Sequence, residues 1–122
     1  MRRHMLKIIA LALPLALGAG SALAADNFKI MAPANPGGGY DQTARGLGKA
    51  MQDAGVAGNI TYENKGGAGG TIGLAQFANS SKGDANSLIV VGAVMVGAIV
   101  QNKPPVTMAN ATPIARITAE YN

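Results

Sequence analysis

Short apolar runs alternate along this chain with segments whose apolar residues return every third or fourth position. Residues 28–32, 60–63 and 87–91 are of the first kind and predict strands. The third of these is apolar almost throughout, the pattern of a strand buried on both faces. Residues 40–54 are of the second kind, with Ala44, Leu47, Met51 and Ala54 on one stripe, and predict a helix with one buried side. Residues 71–79 bring Leu74, Phe77 and Ala78 to a common face and predict a second helix. A short third helix follows at 93–100, and residues 114–118 form a fourth strand candidate.

The breaks between these elements are equally regular. Residues 33–39 carry too much proline and glycine for helix or strand. Gly55 and Gly58 end the first helix, residues 80–86 are turn chemistry, Pro104-Pro105 closes the third helix, and 107–113 reads as a surface connection. No heptad or solenoid repeat is present. What recurs, three times, is strand, glycine loop, helix. That order predicts an α/β fold, a parallel sheet with flanking helices joined by right-handed crossovers. In such sheets ligands bind beyond the carboxyl ends of the strands. The loops at 34–39, 65–70 and 92–94 each follow a strand and precede a helix, so all three belong to that edge.

The second loop is the most pronounced. Asn64-Lys65-Gly66-Gly67-Ala68-Gly69-Gly70-Thr71-Ile72-Gly73 holds five of the chain's 17 glycines. Glycines here let a ligand approach the main chain, and the N–H groups that open the next helix lack intrahelical partners and favour an anion. Three helix N-termini around one cleft, each worth ~0.3–1 kcal/mol when exposed, would suit an anion with more than one charged group. A dinucleotide fingerprint starting at Gly67 would need glycine at position 72, where Ile72 stands. A phosphate loop of the Walker type needs Gly-Lys-Ser/Thr, and Lys65 precedes the glycines. The candidate ligand contacts are Pro36, Gly37, Gly38, Gly39 and Tyr40 on the first loop. On the second they are Gly67, Ala68, Gly69, Gly70 and Thr71, and on the third Gly92 and Ala93.

Composition narrows the chemistry. Arg2, Arg3 and Lys7, an apolar core at 8–17 and Ala22-Leu23-Ala24 read as a secretory signal with a small-residue cleavage site. The apolar core is shorter than the ~20 residues a membrane span needs. Residues 1–24 are therefore set apart from 25–122. Of the 122 residues 98 then remain, and three of ten basic residues leave with none of the six acidic ones, so the formal charge falls from +4 to +1. Nucleic acid and anionic membrane surfaces lose their electrostatic basis as partners. The one histidine, His4, leaves too, and the chain has no cysteine. Metal ligation by His or Cys, thiol chemistry and a Ser-His pair are all excluded from 25–122. An exported chain without cysteine must be stabilised by packing rather than disulfides.

Several side chains have plain structural roles open to them. Asp41 and Arg45 stand at ion-pair spacing on a helix and read as pairing and capping. Lys65 reads as a solvated lysine, Asn64 as a side chain fixing the second loop, and Met51 and Met95 as core. Gly73 is placed where the second helix packs close to the sheet. Thr71 fits either a helix cap or a hydroxyl reaching a carboxylate. Tyr40 either meets the ligand or packs the helix entry.

Three stretches together resemble a known family: Pro33-Ala34-Asn35-Pro36-Gly37-Gly38-Gly39-Tyr40-Asp41-Gln42-Thr43-Ala44-Arg45, Glu63-Asn64-Lys65-Gly66-Gly67-Ala68-Gly69-Gly70-Thr71-Ile72-Gly73, and Val90-Val91-Gly92-Ala93-Val94-Met95-Val96-Gly97-Ala98 with Thr112-Pro113-Ile114-Ala115-Arg116. In combination and order they are similar to the substrate-binding proteins of tripartite tricarboxylate transporters, the Bug family of periplasmic receptors. The resemblance implies a two-lobed, type II periplasmic binding protein that closes on a small di- or tricarboxylate through main-chain N–H groups and water. It implies delivery to a membrane permease of a large and a small subunit, an aromatic ligand contact at Tyr40, a monomer when complete, and neither cofactor nor catalysis. The family's members are longer, so this chain is expected to hold most of lobe one and none of lobe two, to fold marginally and to bind weakly alone. A periplasmic sensor feeding a membrane kinase, and an exported enzyme with catalytic groups elsewhere, are the alternatives.

Overall fold

The structure, a computed structural model, describes residues 26–119. The candidate leader at 1–24 lies outside the described residues. The chain runs through β1 (Asp26–Ala32), α1 (Gly39–Asp53), β2 (Ala57–Asn64), α2 (Thr71–Ser80), β3 (Ser87–Ile89) and α3 (Ala93–Asn102). Single 3-10 turns stand at Ala68–Gly70, directly before α2, and at Met108–Asn110.

The three strands form one parallel sheet in the order β2-β1-β3, with Ile30 opposite Tyr62 on one side and Leu88 on the other. β1 is therefore the central strand, and its last three residues, Ile30, Met31 and Ala32, are all buried. Strand alternation sends Ile30 and Ala32 to one face. There they join Ala44 of α1 and Val90, bordered by Leu47, Met51, Ile60 and Tyr62. Met31 turns to the opposite face, where α2 packs on β1 and α3 packs on α2. Leu74 and Met95, one from each of those helices, are fully buried. Helices thus cover both faces, as the strand–helix alternation predicts.

The structure corrects three expectations. The apolar stretch at 87–91 is not a strand buried on both faces. Only Ser87–Ile89 pair, at the sheet edge, with Ser87 buried and Leu88 and Ile89 half-buried. The chain crosses over β1 to reach that edge, so the doubly covered strand is β1. Ala54 lies outside the α1 stripe and is exposed, because Gly55 at φ +71° ends the helix there. Residues 114–118 form no strand. β3 pairs only with β1, no ladder reaches 114–118, and residues 112–119 are exposed throughout. A strand is defined by its partner, and this segment has none among the described residues. In the other direction, β2 is longer than its apolar run, because the β1 ladder extends to Asp26 opposite Ala57 and draws in Gly58 and Asn59.

Candidate functional site

The order β2-β1-β3 makes the gap between β1 and β3 the place where successive connections part. The loop after β1 leads to α1 on one face, and the loop after β3 leads to α3 on the other. Crevices at such points are where open α/β sheets take ligands. A cleft of about 780 Å³ lies there, lined by all three strand-to-helix loops together with residues of the 106–119 segment. Among the described residues no Asp or Glu lines it.

The first loop is largely satisfied by itself. Gly38 donates its N–H to the Asn35 carbonyl (3.0 Å), and Gly37 donates to the Asp41 carboxylate (2.8 Å). Asp41 is only 3% exposed and also accepts from Arg45 Nε (3.0 Å) and from the Asn64 amide (2.9 Å). The Arg45 guanidinium, with the Gly37 N–H and the Asn64 amide, lowers the Asp41 carboxyl to about 2. A carboxylate charged down to low pH in the first turn of α1 already sits where the helix dipole favours an anion. The N-terminus of α1 is thus partly neutralised from within. Asn64 donates as well to the Ala34 carbonyl (3.2 Å), tying the end of β2 to the first loop. Asp41, Arg45 and Asn64 therefore act as a structural clasp; the four-residue spacing suggests the Asp41–Arg45 pair, whereas the Asn64 side chain fixes the first loop and not, as expected, the second.

The second loop is wedged rather than free. Gly70 stands at φ +93°, which a side chain rarely adopts, and a Cβ there would lie 3.2 Å from the Pro33 carbonyl. At Gly69 it would lie 2.5 Å from Ala98 Cβ, so α3 rests directly on this turn. Two amides counted on to face a ligand are spent: Gly70 donates to the Gly67 carbonyl (2.9 Å), and Thr71 donates to the Ala68 carbonyl. Thr71 is not the cap; Gly70 is, and the Thr71 hydroxyl turns back to the Ala68 carbonyl (2.9 Å). Lys65 is exposed and does not line the cleft.

The third terminus is also open. α3 has no acidic residue in its first turn, and Gly92 caps it without a side-chain bond. Its Ala93 and Val94 N–H groups have no protein partner among the described residues, whereas Met95 donates to the Tyr40 hydroxyl (3.0 Å) and to the Gly92 carbonyl (3.0 Å). Tyr40 therefore reaches across the crevice from the first turn of α1 to the first turn of α3. With its oxygen accepting from Met95, its O–H remains able to donate to a ligand.

The cleft thus brings together Gly39, Tyr40, Gly67, Gly69, Gly70, Gly92 and Ala93 of the expected contacts. Pro36, Gly37, Gly38, Ala68 and Thr71 do not line it; of these, Gly37, Gly38, Ala68 and Thr71 are engaged in the internal bonds just given. Sequence reasoning missed Asn35, Thr43, Val94, Val96, Met108 and Arg116, which do. Arg116 carried a signal, as a lone cation in an otherwise uncharged stretch, but its placement in a strand hid it. Among the described residues no group of three or more His, Cys, Asp or Glu could hold a metal, and no helix is long and apolar enough to cross a membrane. The chain matches no protein-family model, no curated protein and no solved structure.

Proposed function

We propose that this protein is a substrate-binding receptor of the tripartite tricarboxylate transporter kind, working in the periplasm. It captures a small di- or tricarboxylate and hands it to a membrane permease. The observation that carries the proposal is the convergence of three strand-to-helix loops on one cleft that no Asp or Glu among the described residues lines, with the open N-terminus of α3 and Arg116 in its lining. An anion placed there meets donors and a cation, and no like charge. No His, Cys, Asp or Glu lines the cleft among the described residues, which favours capture over general acid–base or nucleophilic catalysis. The order of the three glycine-containing motifs supports the receptor family, and the likeness to it rests on those motifs alone.

In this proposal the described unit is one lobe of a two-lobed, type II binding fold. The exposed Val100, Ile114 and Ile117 are then surface for a second lobe to cover. Binding to a single open lobe is weak, so the test must register millimolar affinity. Titration of the ¹⁵N-labelled chain with succinate, adipate and citrate should give saturable amide shifts at Ala93, Val94 and Gly39. Arg116→Gln should weaken each titration several-fold. Absence of saturable shifts for every acid, with the chain folded, would overturn the proposal.

A further inference from the structure

The chain leaves the body of the structure after residue 111. Ala111 donates its N–H to the Met108 carbonyl (3.2 Å), in the 3-10 turn that the Thr107 and Asn110 side chains brace. From 112 to 119 there is neither helix nor strand, every residue is exposed, and no hydrogen bond forms among the described residues. Ile114 is 79% exposed and Ile117 is 52% exposed. A stretch with so little buried apolar area and no such bonds opens locally at small cost in free energy. Yet Arg116 and Thr118 line the cleft, and Arg116 is the one basic residue among the described residues that does. Its guanidinium, a rigid fork of donors, has no hydrogen-bond or ion-pair partner among the described residues.

We infer that residues 112–118 are a strap, loose in the free chain, that an anion in the cleft fastens through Arg116. This inference rests on the receptor proposal and adds the response of the site to its ligand. The Ala93 and Val94 amides belong to α3, which packs against the second loop, whereas Arg116 belongs to the strap. A carboxylate that accepts from both ties the strap to α3 and holds it where the structure shows it. Hydrogen bonds between a guanidinium and a carboxylate are about twice as strong as neutral ones. No Asp or Glu among the described residues of the lining competes for the cation. Ordering the strap costs backbone entropy, and a ligand without charge has nothing to offset that cost. The anion meets the packed loops first, and the strap closes on it afterwards.

Backbone order parameters from ¹⁵N relaxation of the full chain test the strap, while amide shifts at Gly39, Ala93 and Val94 report capture independently. Without ligand, residues 114–118 should lie below about 0.6, and with saturating succinate they should approach the ~0.85 of a rigid backbone. Neutral butanediol should leave them low. Arg116→Gln, at an exposed position outside every helix and strand, should leave them low even where succinate saturates the shift at Ala93. Saturable shifts with the order of 114–118 unchanged would overturn the strap and leave carboxylate capture intact. A segment already rigid in the free chain, or ordered equally by butanediol, would do the same. Ordering retained in full by Arg116→Gln would overturn fastening through Arg116. No saturable shift with succinate, adipate or citrate would instead remove the receptor proposal, and the strap with it.

Discussion

Replacing Gly73 with alanine adds one methyl group at the point where α2 meets the ends of β1 and β2. A Cβ there would stand 2.7 Å from Pro33 Cβ, 2.8 Å from the Lys65 carbonyl oxygen and 3.1 Å from Pro33 Cα. Favourable contact between carbon atoms begins at about 3.5 Å. None of the three neighbours can rotate away, since two are backbone atoms and the third belongs to a proline ring. The loops after β1 and β2 must separate, and overpacking of this kind costs roughly 1–3 kcal/mol. Against it stands a helix-propensity gain of at most about 1 kcal/mol. Gly46, in the middle of α1, supplies the control, because a Cβ there would meet nothing within 4 Å. Gly46→Ala should therefore gain up to about 1 kcal/mol unopposed. The two variants carry the same substitution in two helices and should move in opposite directions, separated by about 1–3 kcal/mol. Urea unfolding followed by far-UV circular dichroism measures both, with an unchanged m-value as the check that only stability has moved. For a domain of this size each kcal/mol corresponds to about 4–8 °C in Tm. If Gly73→Ala proves as stable as Gly46→Ala, the close packing of α2 on the first two loops is wrong.

Three further outcomes follow from the same geometry. Tyr40→Phe removes one of the two acceptors of the Met95 N–H, leaving the Gly92 carbonyl, and should lower stability by about 0.5–1.5 kcal/mol, with faster amide exchange at Met95 and no change within α1; equal exchange and equal stability would refute the bond. Ala68 stands at φ +47° with its Cβ intact, so Ala68→Gly should relieve about 1–2 kcal/mol of strain, less the ~0.5–1 kcal/mol that glycine costs in chain entropy; a lowered Tm would show the turn to be unstrained. Asp41 titrates at about 2 rather than 3.8 because its charged form is held by Arg45, Gly37 and Asn64. The folded chain therefore binds that proton more weakly than the unfolded chain, and the stabilisation is full above 3.8 and lost as pH falls from there through about 2. Asp41→Asn should make the acid limb of the stability curve shallower, with Asp84, lowered by the Ser87 hydroxyl, keeping part of it. Identical acid limbs would exclude the clasp.

Periodicity proved a good guide to which segments form helices and a poor one to how strands are ordered. The α1 stripe of Ala44, Leu47 and Met51 is visible from spacing because burial repeats with the helical turn. Ile30 and Leu88 sit in runs of similar apolarity, yet one belongs to a central strand and the other to an edge. Which strand is covered twice depends on the crossover, and no local pattern encodes it. Ile114 and Ile117 have the composition of a strand without a neighbour to pair with, and they are exposed. At the cleft, the three loops were legible as glycine between strand and helix. What could not be read was which amides the fold would consume: Gly37 by Asp41, Gly70 by Gly67, Thr71 by Ala68. Those bonds depend on φ values and on packing across the sheet, and they take Gly37, Gly70 and Thr71 out of the set of open donors.

The seating of the second loop against Ala98, Met95 and Pro33 bears on how quickly a ligand is taken up. A Cβ at Gly69 or Gly70 would fall within 3 Å of Ala98 Cβ or the Met95 terminal methyl, so the cleft floor is in contact on three sides before any ligand arrives. Such a floor has no slack to reorganise. If the cleft takes the anion proposed above, encounter with this lobe should be a single step governed by diffusion and by the pull of Arg116 and the helix N-termini on the anion, with related acids arriving at similar rates. Discrimination among them then lies in how long each stays.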